Sequence, residues 1–306
     1  MNKAIVVIGS SNTDMVLKTA RFPKPGETIL GGEFFMFQGG KGGNQAVAAA
    51  RLGGEVTFIC KLGNDLFGNN AIAHYTNEKI NVSQIGQTDK APSGVALITV
   101  DAHGENEIVV AQGANALLAV EDIRQASSML AKANYYLTQL ETPLPTVEFI
   151  AVEAKKYGKR LVLNPAPATQ LPAALYQGLF LITPNETEAT LLTGIAVSDT
   201  TSARQAAKIL QSKGVLNVII TLGSKGAYVL ANGFTGLVEA PVVKAVDTTA
   251  AGDVFNGALV VALADQKDWQ EAVIFACQAA AISVTQMGAQ ASAPYSYQLN
   301  PSLPTN

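Results

Sequence analysis

Residues 38–63 read QGGKGGNQAVAAARLGGEVTFICKLG, a glycine-rich turn that leads into an alanine-rich segment and then a β-branched run. This pattern predicts a helix over residues 42–52 and a strand over residues 56–62. The alternation recurs along the chain, with predicted strands over 4–9, 135–139, 160–164, 179–183 and 217–222 and helices over 66–79, 120–133, 144–157, 186–193, 202–213, 252–264 and 269–286. Because parallel strands need crossover connections, this order predicts an α/β fold with a doubly wound, mostly parallel sheet flanked by helices.

Two segments interrupt the alternation and resemble antiparallel strands, residues 12–18 with 29–38 and residues 93–100 with 107–111. We interpret them as a small β-sheet lid, inserted from about 12–38 and 93–111 into a single domain over residues 1–306. In the run FFMF (34–37) both strand faces are apolar, so a lid that covers the core leaves aromatic side chains exposed. This predicts a homodimer through the lid strands; the alternative is a lid strand buried within its own subunit.

The composition is that of a globular chain without a nucleic-acid or membrane partner. Of 306 residues, 48% are apolar and 15% are charged, and the net charge of −3 gives no basic excess to neutralise a phosphate backbone. The apolar run at 4–8 is too short for a signal segment, and the uncharged stretches at 161–185 and beyond 271 predict buried core. Cys60 and Cys277 lie far apart in the sequence, which favours free thiols and a cytoplasmic location.

The common catalytic motifs are not matched. His74 lies in a helix pattern and His103 in a turn, so neither a histidine triad nor a zinc site can be assembled, and we expect surface roles for both. The GK pair at 40–41 is followed by glycine rather than Ser or Thr, as a P-loop requires, and the GSS at 9–11 does not open a dinucleotide fingerprint. These mismatches disfavour a nicotinamide-dependent dehydrogenase.

The glycine-rich turn at 38–45 is the first candidate site. Four glycines around Lys41 allow close backbone approach at a helix start, where the first N–H groups are free. Lys41 and Asn44 add a cation and an amide to the same rim, which suits a polyhydroxylated or anionic ligand. The alternative is a tight turn that only packs the alanine-rich helix on the sheet, and this alternative leaves Lys41 and Asn44 unexplained.

The second candidate site is the segment AVDTTAAGDVFNGA at 245–258. Small residues before a helix that begins near Gly252 expose consecutive N–H groups, which form a cradle for an anion. Asp253 lies at this cradle. It is either an N-cap that accepts amides of its own helix, or a general base that takes a proton from an alcohol while the amides stabilise a phosphoryl group in transfer.

These two segments, in this order, resemble the paired signatures of the PfkB carbohydrate kinases, and the resemblance extends over the chain from SSNTD (10–14) to GAQ (288–290). The resemblance implies a doubly wound α/β fold whose sheet lid is also the dimer interface. It implies ATP-dependent phosphorylation of the primary hydroxyl of a pentose. Ribose is the first choice, because Asn12 and Asp14 match the pattern for a sugar that keeps its 2-hydroxyl. A kinase for deoxyribose, a ketose or a nucleoside, and a non-catalytic sugar sensor, are the alternatives.

The resemblance also implies a role for each matching residue. The sugar hydroxyls would be held by Asn12, Asp14, Gly40, Lys41, Asn44 and Glu141. Asp253 would be the base, with the amides of Ala251, Gly252 and Asp253 as the anion hole. The nucleotide would contact Asn185, Thr221, Gly223, Ser224, Gly226, Gly252 and Cys277, and Glu188 would hold Mg²⁺ through water. A monovalent cation such as K⁺ would lie at Asp247, Thr249, Ser283, Gln286, Gly288 and Ser292.

Three features depart from the family pattern. Ala250 stands where many members carry glycine, and we expect the loop to form if this position avoids positive φ. Cys277 stands near the predicted adenine edge, where a histidine is found in relatives. The tail at 294–306 is uncharged and does not show the pattern of an amphipathic closing helix.

Overall fold

The computed structural model describes residues 3–299. Its strands are β1 Ala4–Ile8, β2 Asn12–Lys18, β3 Glu33–Gly39, β4 Glu55–Gly63, β5 Asn81–Thr88, β6 Gly94–Val100, β7 Asn106–Ala111, β8 Tyr135–Thr138, β9 Arg160–Leu163, β10 Leu181–Ile182, β11 Asn217–Thr221, β12 Ala227–Ala231 and β13 Phe234–Val238. Its α-helices are α1 Lys41–Arg51, α2 Leu66–Asn77, α3 Val120–Gln125, α4 Ser127–Lys132, α5 Leu144–Lys156, α6 Ala173–Tyr176, α7 Glu186–Thr193, α8 Thr200–Ser212, α9 Ala251–Ala264, α10 Trp269–Ser283 and α11 Ser296–Leu299.

The main sheet has the order β13-β12-β11-β10-β9-β8-β1-β4-β5, and its neighbouring strands pair in parallel except in the pairs β11–β12 and β12–β13, which are antiparallel. In β1, Ile5 and Val7 pack into an apolar cluster with α1, α2, α9 and α10, whereas Val6 and Ile8 pack on the other face with α3, α4, α5, α7 and α8. Helices on both faces of a central parallel sheet confirm the predicted doubly wound fold.

The second sheet, here called the lid, has the order β3-β2-β6-β7. Strand β3 begins at Glu33 rather than at the predicted residue 29, because Gly31 and Gly32 both have positive φ and interrupt the extended chain. Direct register neighbours point to the same side of a sheet, so Met36, Met15, Leu97 and Val109 form one row across all four lid strands. Asp14 lies on the opposite face.

Other boundaries differ from the prediction in identifiable ways. The predicted helix over 120–133 is divided at Ala126, whose carbonyl accepts hydrogen bonds from the amides of both Met129 and Leu130 and so tightens the chain into a 3₁₀-like turn. In the tail, residues 296–299 form the single turn α11, and the rest of that prediction, residues 300–306, lies outside the described residues. Among the helices of residues 3–299, none has the length and apolarity needed to cross a bilayer.

Close packing of α1 on α9 positions the site. A Cβ on Gly257 of α9 would lie 2.8 Å from the Gln45 carbonyl oxygen and 2.9 Å from Cβ of Ala48, so only glycine permits this approach. At the start of α1, a Cβ on Gly42 would lie 2.6 Å from the Ser10 amide nitrogen. These contacts bring the beginning of α1, the end of β1 and the beginning of α9 together.

Candidate active site

A cavity of about 180 Å³ opens where strands β9, β10 and β11 end and helix α9 begins. This is the sheet edge at which open α/β folds bind ligands. The lining residues are Lys41, Asn164, Ala166, Thr183, Asn185, Glu188, Thr221, Thr248, Ala250, Ala251, Gly252, Asp253 and Asn256. The fold therefore brings Lys41 of the glycine-rich turn and Asp253 of the second candidate segment into one pocket.

The start of α9 faces this cavity without a cap of its own. Ala250 is the N-cap residue, and no side chain accepts the first amides of the helix. Ala250 has φ 60° and ψ 10°, so the condition stated for this loop, that the position avoids positive φ, is not met, and the loop forms with the alanine in the left-handed region. An alanine in the left-handed region costs about 1–2 kcal/mol. That strain is confined to the turn that directs the N–H groups of Gly252 and Asp253 towards the cavity end of the helix.

The Asp253 carboxylate is held by side chains from α1. The amide nitrogen Nδ2 of Asn44 donates to its Oδ2 and Nε2 of Gln45 donates to its Oδ1, each at 2.9 Å. Asp253 therefore does not act as the N-cap of its own helix, which removes that alternative. Burial, to 4% exposure, raises the pKa of Asp253, and the charge of Lys41 and the two amide donors lower it. The charge of Asp253 is in turn the main cause of the raised pKa of Lys41.

Glu141, beyond the end of β8, anchors the glycine-rich turn. Its Oε2 accepts a hydrogen bond from the backbone amide of Lys41 at 3.0 Å and another from the hydroxyl of Ser10. A carboxylate at the first amide of α1 satisfies a donor that the helix leaves free and complements the helix dipole. Gly40, with φ 82°, makes the turn possible, and a Cβ there would lie 2.7 Å from the Asn12 amide nitrogen.

Asn12 and Asp14 lie on β2, a strand of the lid. The Oδ1 atom of Asn12 accepts a hydrogen bond of 2.7 Å from Nδ2 of Asn115, and Asn115 is itself fixed through its Oδ1 by the Ser11 amide at 2.9 Å. The Asp14 carboxylate packs against Gly39, where a Cβ would collide with its Oδ2. Its pKa is raised to about 7, because it is buried and because the charges of Glu141 and Asp253 oppose its ionisation, while Lys41 favours ionisation. Neither Asn12 nor Asp14 lines the cavity, but Asp14 belongs electrostatically to the same cluster.

One buried polar atom of the site, on Asn44, has no hydrogen-bond partner. The Oδ1 atom of Asn44 is buried and accepts no hydrogen bond. Leaving a buried acceptor unpaired costs about 1–3 kcal/mol, so such atoms usually mark the place of a missing donor. A sugar hydroxyl provides a donor of this kind, and its arrival at Asn44 would bring it to the residue that also holds Asp253.

Apart from Cys277, the predicted nucleotide residues lie in two places, the cavity lining and the loop after β11. Asn185 and Glu188 cap α7 reciprocally, Thr221 ends β11, and these three residues line the cavity. The loop Gly223–Lys225, with Ser224 at its centre, joins β11 to the antiparallel β12 rather than to a helix, and Gly226 closes it with φ 104°. A Cβ on Gly226 would lie 2.8 Å from the Ala240 amide nitrogen.

Cys277 lies apart from these residues. It is 4% exposed and belongs to the apolar cluster on the sheet face covered by α1, α2, α9 and α10. The cavity lining does not include it. Its neighbours on α10, Gln278 and Ile282, line a second cavity of about 190 Å³ together with Val243. Cys277 and Cys60 are both buried free thiols.

The predicted cation residues lie around two loops that Asp247 joins. Its Oδ1 accepts the Thr249 amide and its Oδ2 accepts the Gly288 amide, each at 2.9 Å. The amide of Gln286 donates to the carbonyl of Ser283 at 3.2 Å, and Ser292 is buried with its hydroxyl bonded to the Ala289 carbonyl. Within residues 3–299, no three His, Cys, Asp or Glu residues cluster as metal ligands.

Several residues of the site were missed by the sequence analysis. Gln45, Gln139 and Asn164 form a chain of buried amides that reaches Asp253, and Asn115 orients Asn12. Gln139 and Asn164 directly follow strands β8 and β9. Their position could have revealed them, because the carboxyl ends of parallel strands meet at the ligand-binding edge of a sheet.

Comparison with known proteins agrees with this geometry. The pattern of the pfkB family carbohydrate kinases matches residues 2–295. A ribokinase of Haemophilus influenzae is 46% identical over 294 residues, 96% of each chain, and a deoxyribokinase of Salmonella typhi is 39% identical over 303 residues, 99% of each chain. The structure of an Arabidopsis thaliana ribokinase complexed with ribose and ATP superposes with a TM-score of 0.90 at 30% identity, covering 98% of both chains.

The fold and the site thus define a carbohydrate kinase. The chain belongs to the pfkB family of carbohydrate kinases.

Proposed function

We propose that this kinase transfers the γ-phosphoryl group of ATP to the primary hydroxyl of D-ribose and so forms ribose 5-phosphate. The observation that carries the proposal is the buried Asp253 carboxylate, held by Asn44 and Gln45 at the uncapped start of α9 and beside the ammonium group of Lys41. The 46% identity to a ribokinase over the length of the chain supports ribose as the acceptor.

In the proposed reaction Asp253 accepts the proton of the primary hydroxyl as that oxygen attacks the γ-phosphorus. A bond forms between the hydroxyl oxygen and phosphorus, the bond from phosphorus to the bridging oxygen of ADP breaks, and ADP leaves. The N–H groups of Gly252 and Asp253 stabilise the charge on the phosphoryl oxygens, aided by the positive end of α9. The third predicted donor, the Ala251 amide, already donates to the Thr248 carbonyl at 3.3 Å. The charge of Lys41 lowers the pKa of Asp253 and so favours its ionised form before transfer, against the burial that raises this pKa.

The sugar fits on the lid side of Asp253. The unpartnered Oδ1 of Asn44 accepts a hydrogen bond from a sugar hydroxyl, and this bond orients the sugar next to the base. The remaining hydroxyls are held by Asn12, Asp14, Gly40, Lys41 and Glu141. A site built to pair hydroxyl groups rejects an analogue that lacks one, because its buried polar atoms are then left unpaired.

The nucleotide fits in the 180 Å³ cavity, with its phosphates at the start of α9. Asn185 and Glu188 fit a magnesium ion bound through water, since the Glu188 carboxylate lines the cavity, is buried to 5% exposure and lies in the field of Lys41. Mg²⁺ would neutralise phosphate charge there. The nucleoside part would extend over Thr221, Gly223, Ser224 and Gly226 towards Cys277, where the cavity beside Gln278 provides space.

A monovalent cation fits the loops joined by Asp247. Backbone carbonyls and hydroxyls are the oxygen donors of Thr249, Ser283, Gln286, Gly288 and Ser292, and such donors suit a weakly hydrated ion, K⁺. When bound, this ion would supply positive charge behind the turn that contains Ala250. We further place the reaction in the cytoplasm, where ATP is available and the free Cys60 and Cys277 remain reduced.

The lid is the proposed interface of a homodimer, and the chain acts as one domain with this lid inserted. Met36, Leu97 and Val109 are exposed and lie in one apolar row on the face that points away from Asp14. A continuous exposed apolar row on one sheet face is the feature expected of an isologous contact.

The second candidate is phosphorylation of 2-deoxyribose, which the 39% identity to a deoxyribokinase favours. The test is a panel of ribose, 2-deoxyribose, fructose and a nucleoside with ATP and Mg²⁺, run in K⁺ and in Na⁺, with kcat/KM and product identity measured. The proposal predicts the highest kcat/KM for ribose and faster turnover in K⁺. A preference for 2-deoxyribose would assign the second candidate, and equal rates in the two salts would refute the K⁺ site.

A further inference from the structure

Two buried glutamines connect the carboxylate of Asp253 to the protein interior. Nε2 of Gln45 donates to Oδ1 of Asp253 at 2.9 Å and to Oδ1 of Asn164 at 3.1 Å. Nε2 of Gln139 donates to Oε1 of Gln45. Gln45 and Gln139 are fully buried and neither lines the cavity, so their contacts are with the protein rather than with a ligand in it.

The direction of this chain is determined by chemistry. An ionised carboxylate only accepts hydrogen bonds, so Gln45 must turn its NH₂ group towards Asp253. Its Oε1 then faces inward and needs a donor, which Gln139 supplies. Gln139 is itself held in a close-packed place, because a Cβ on Gly9 would collide with its side-chain amide.

We infer that Gln45 is a positioning residue for Asp253 and that Gln139 sets the orientation of the Gln45 amide. The inference rests on the proposed role of Asp253 as the base. Asn44 holds the other carboxylate oxygen, so the two amides from consecutive residues of α1 fix the plane of the carboxylate relative to the cavity. Gln45 thereby acts on turnover through Asp253, without touching sugar or nucleotide.

The charged groups that face Asp253 come from several elements. Lys41 of α1 favours its ionised form, and Glu141 opposes it. Asp14 of β2 and Glu188 of α7 are further carboxylates within its field. Burial and the charge of Glu141 raise the pKa of Asp253, whereas Lys41 and the hydrogen bonds from Asn44 and Gln45 lower it, so loss of the Gln45 donor should raise it further.

The test compares the wild type with Gln45→Met, which keeps the length of the side chain and removes its donor. We expect kcat to fall about 10-fold to 100-fold with ribose KM within about threefold of wild type. The acid limb of the kcat/KM profile should move to higher pH by about one unit. Gln139→Met, which leaves the donor in place but frees its orientation, should lower kcat in the same direction by a smaller factor.

The matched control is Asn217→Leu, which removes a buried amide at the opposite end of β11, where it bonds the Phe180 carbonyl and the Asn232 amide. It should lower the melting temperature and leave the acid limb unchanged. An unchanged profile in folded Gln45→Met, or a loss of ribose binding instead of kcat, would overturn the inference. If Gln45→Met does not fold, wild-type kcat and pH profile in Gln139→Met would overturn it. Retained activity in Asp253→Asn, by contrast, would refute the proposed base itself, and the inference with it.

Discussion

At the scale of single residues, the site contains four carboxylates around one ammonium group, that of Lys41. Asp253, Glu141, Glu188 and Asp14 all raise the pKa of Lys41 through their charges. Asp14 responds most visibly, since its pKa rises to about 7. The free enzyme thus holds an acidic side chain that is only partly ionised near neutral pH, and hydroxyl donors of a bound sugar would complete its ionisation.

Asp14→Asn should therefore stabilise the free enzyme while it weakens sugar binding. Because the folded pKa of Asp14, about 7, lies above its ordinary value of 3.8, the protonated form favours folding, and the stability it provides is lost as pH rises between these values. The gain in melting temperature of Asp14→Asn over wild type should grow from pH 4 to pH 7 and then level off. A constant or negative difference across this range, measured by thermal unfolding, would contradict the assignment.

At the scale of elements, the site depends on how closely α1 approaches the end of β1. The amide of Gly43 donates to the Ser10 carbonyl at 2.9 Å, and the amide of Gly42 donates to the Ser10 hydroxyl at 3.3 Å. This contact sets the position of Asn44 and Gln45, the next two residues of the helix, against Asp253. Glycine at 42 is thus required for packing, although its φ is ordinary.

Gly42→Ala should separate these two elements. Its Cβ would meet backbone atoms of Gly9 and Ser10 at 2.6–2.7 Å, and backbone cannot move aside without displacing the turn. We expect a loss of about 1–3 kcal/mol in the free energy of unfolding, together with a fall in kcat. Gly236→Ala in β13 is the control, because its Cβ has no neighbour closer than 3.7 Å and it should leave both quantities unchanged. Equal effects of the two substitutions would refute the packing argument.

The elements also show where sequence reasoning succeeds. The helices and central strands were predictable because alternating apolar patterns reflect burial on one or both faces. Strand β5 was missed because it is an edge strand, partly exposed and rich in polar residues, and β12 and β13 because they depart from strand–helix alternation. In the site, Lys41, Asn44 and Asp253 were recognisable because each lies in a contiguous motif. Gln139, Asn164 and Asn115 come from separate parts of the chain, and only the fold brings them next to the site.

At the scale of the whole molecule, the two faces of the lid contain the residues of two proposed functions, sugar binding on one face and dimerisation on the other. Asn12 and Asp14 lie on the face towards the glycine-rich turn, where Asn12 contacts Asn115 and Asp14 contacts Gly39. The row that contains Met36 and Leu97 lies on the other face and is exposed. A second copy that covers this row would fix the orientation of β2, the strand that contains the proposed sugar-binding residues Asn12 and Asp14.

Leu97→Glu should convert the proposed dimer into monomers, because it places a charge at the centre of an apolar contact. Leu216→Glu is the matched control, since Leu216 is 64% exposed, against 55% for Leu97, and lies outside the lid. Light scattering coupled to gel filtration measures the mass of each variant. A monomeric wild type, or dimers that persist in Leu97→Glu, would contradict the proposed interface.

The most direct test of the whole account is the turnover of Asp253→Asn with ribose and ATP. The substitution keeps the shape of the side chain and removes its basicity, so kcat should fall about 10²-fold to 10⁴-fold while ribose and ATP still bind with nearly wild-type affinity. A variant that binds both substrates and retains kcat within about tenfold of wild type would contradict the role of Asp253, and with it the proposed mechanism of phosphoryl transfer.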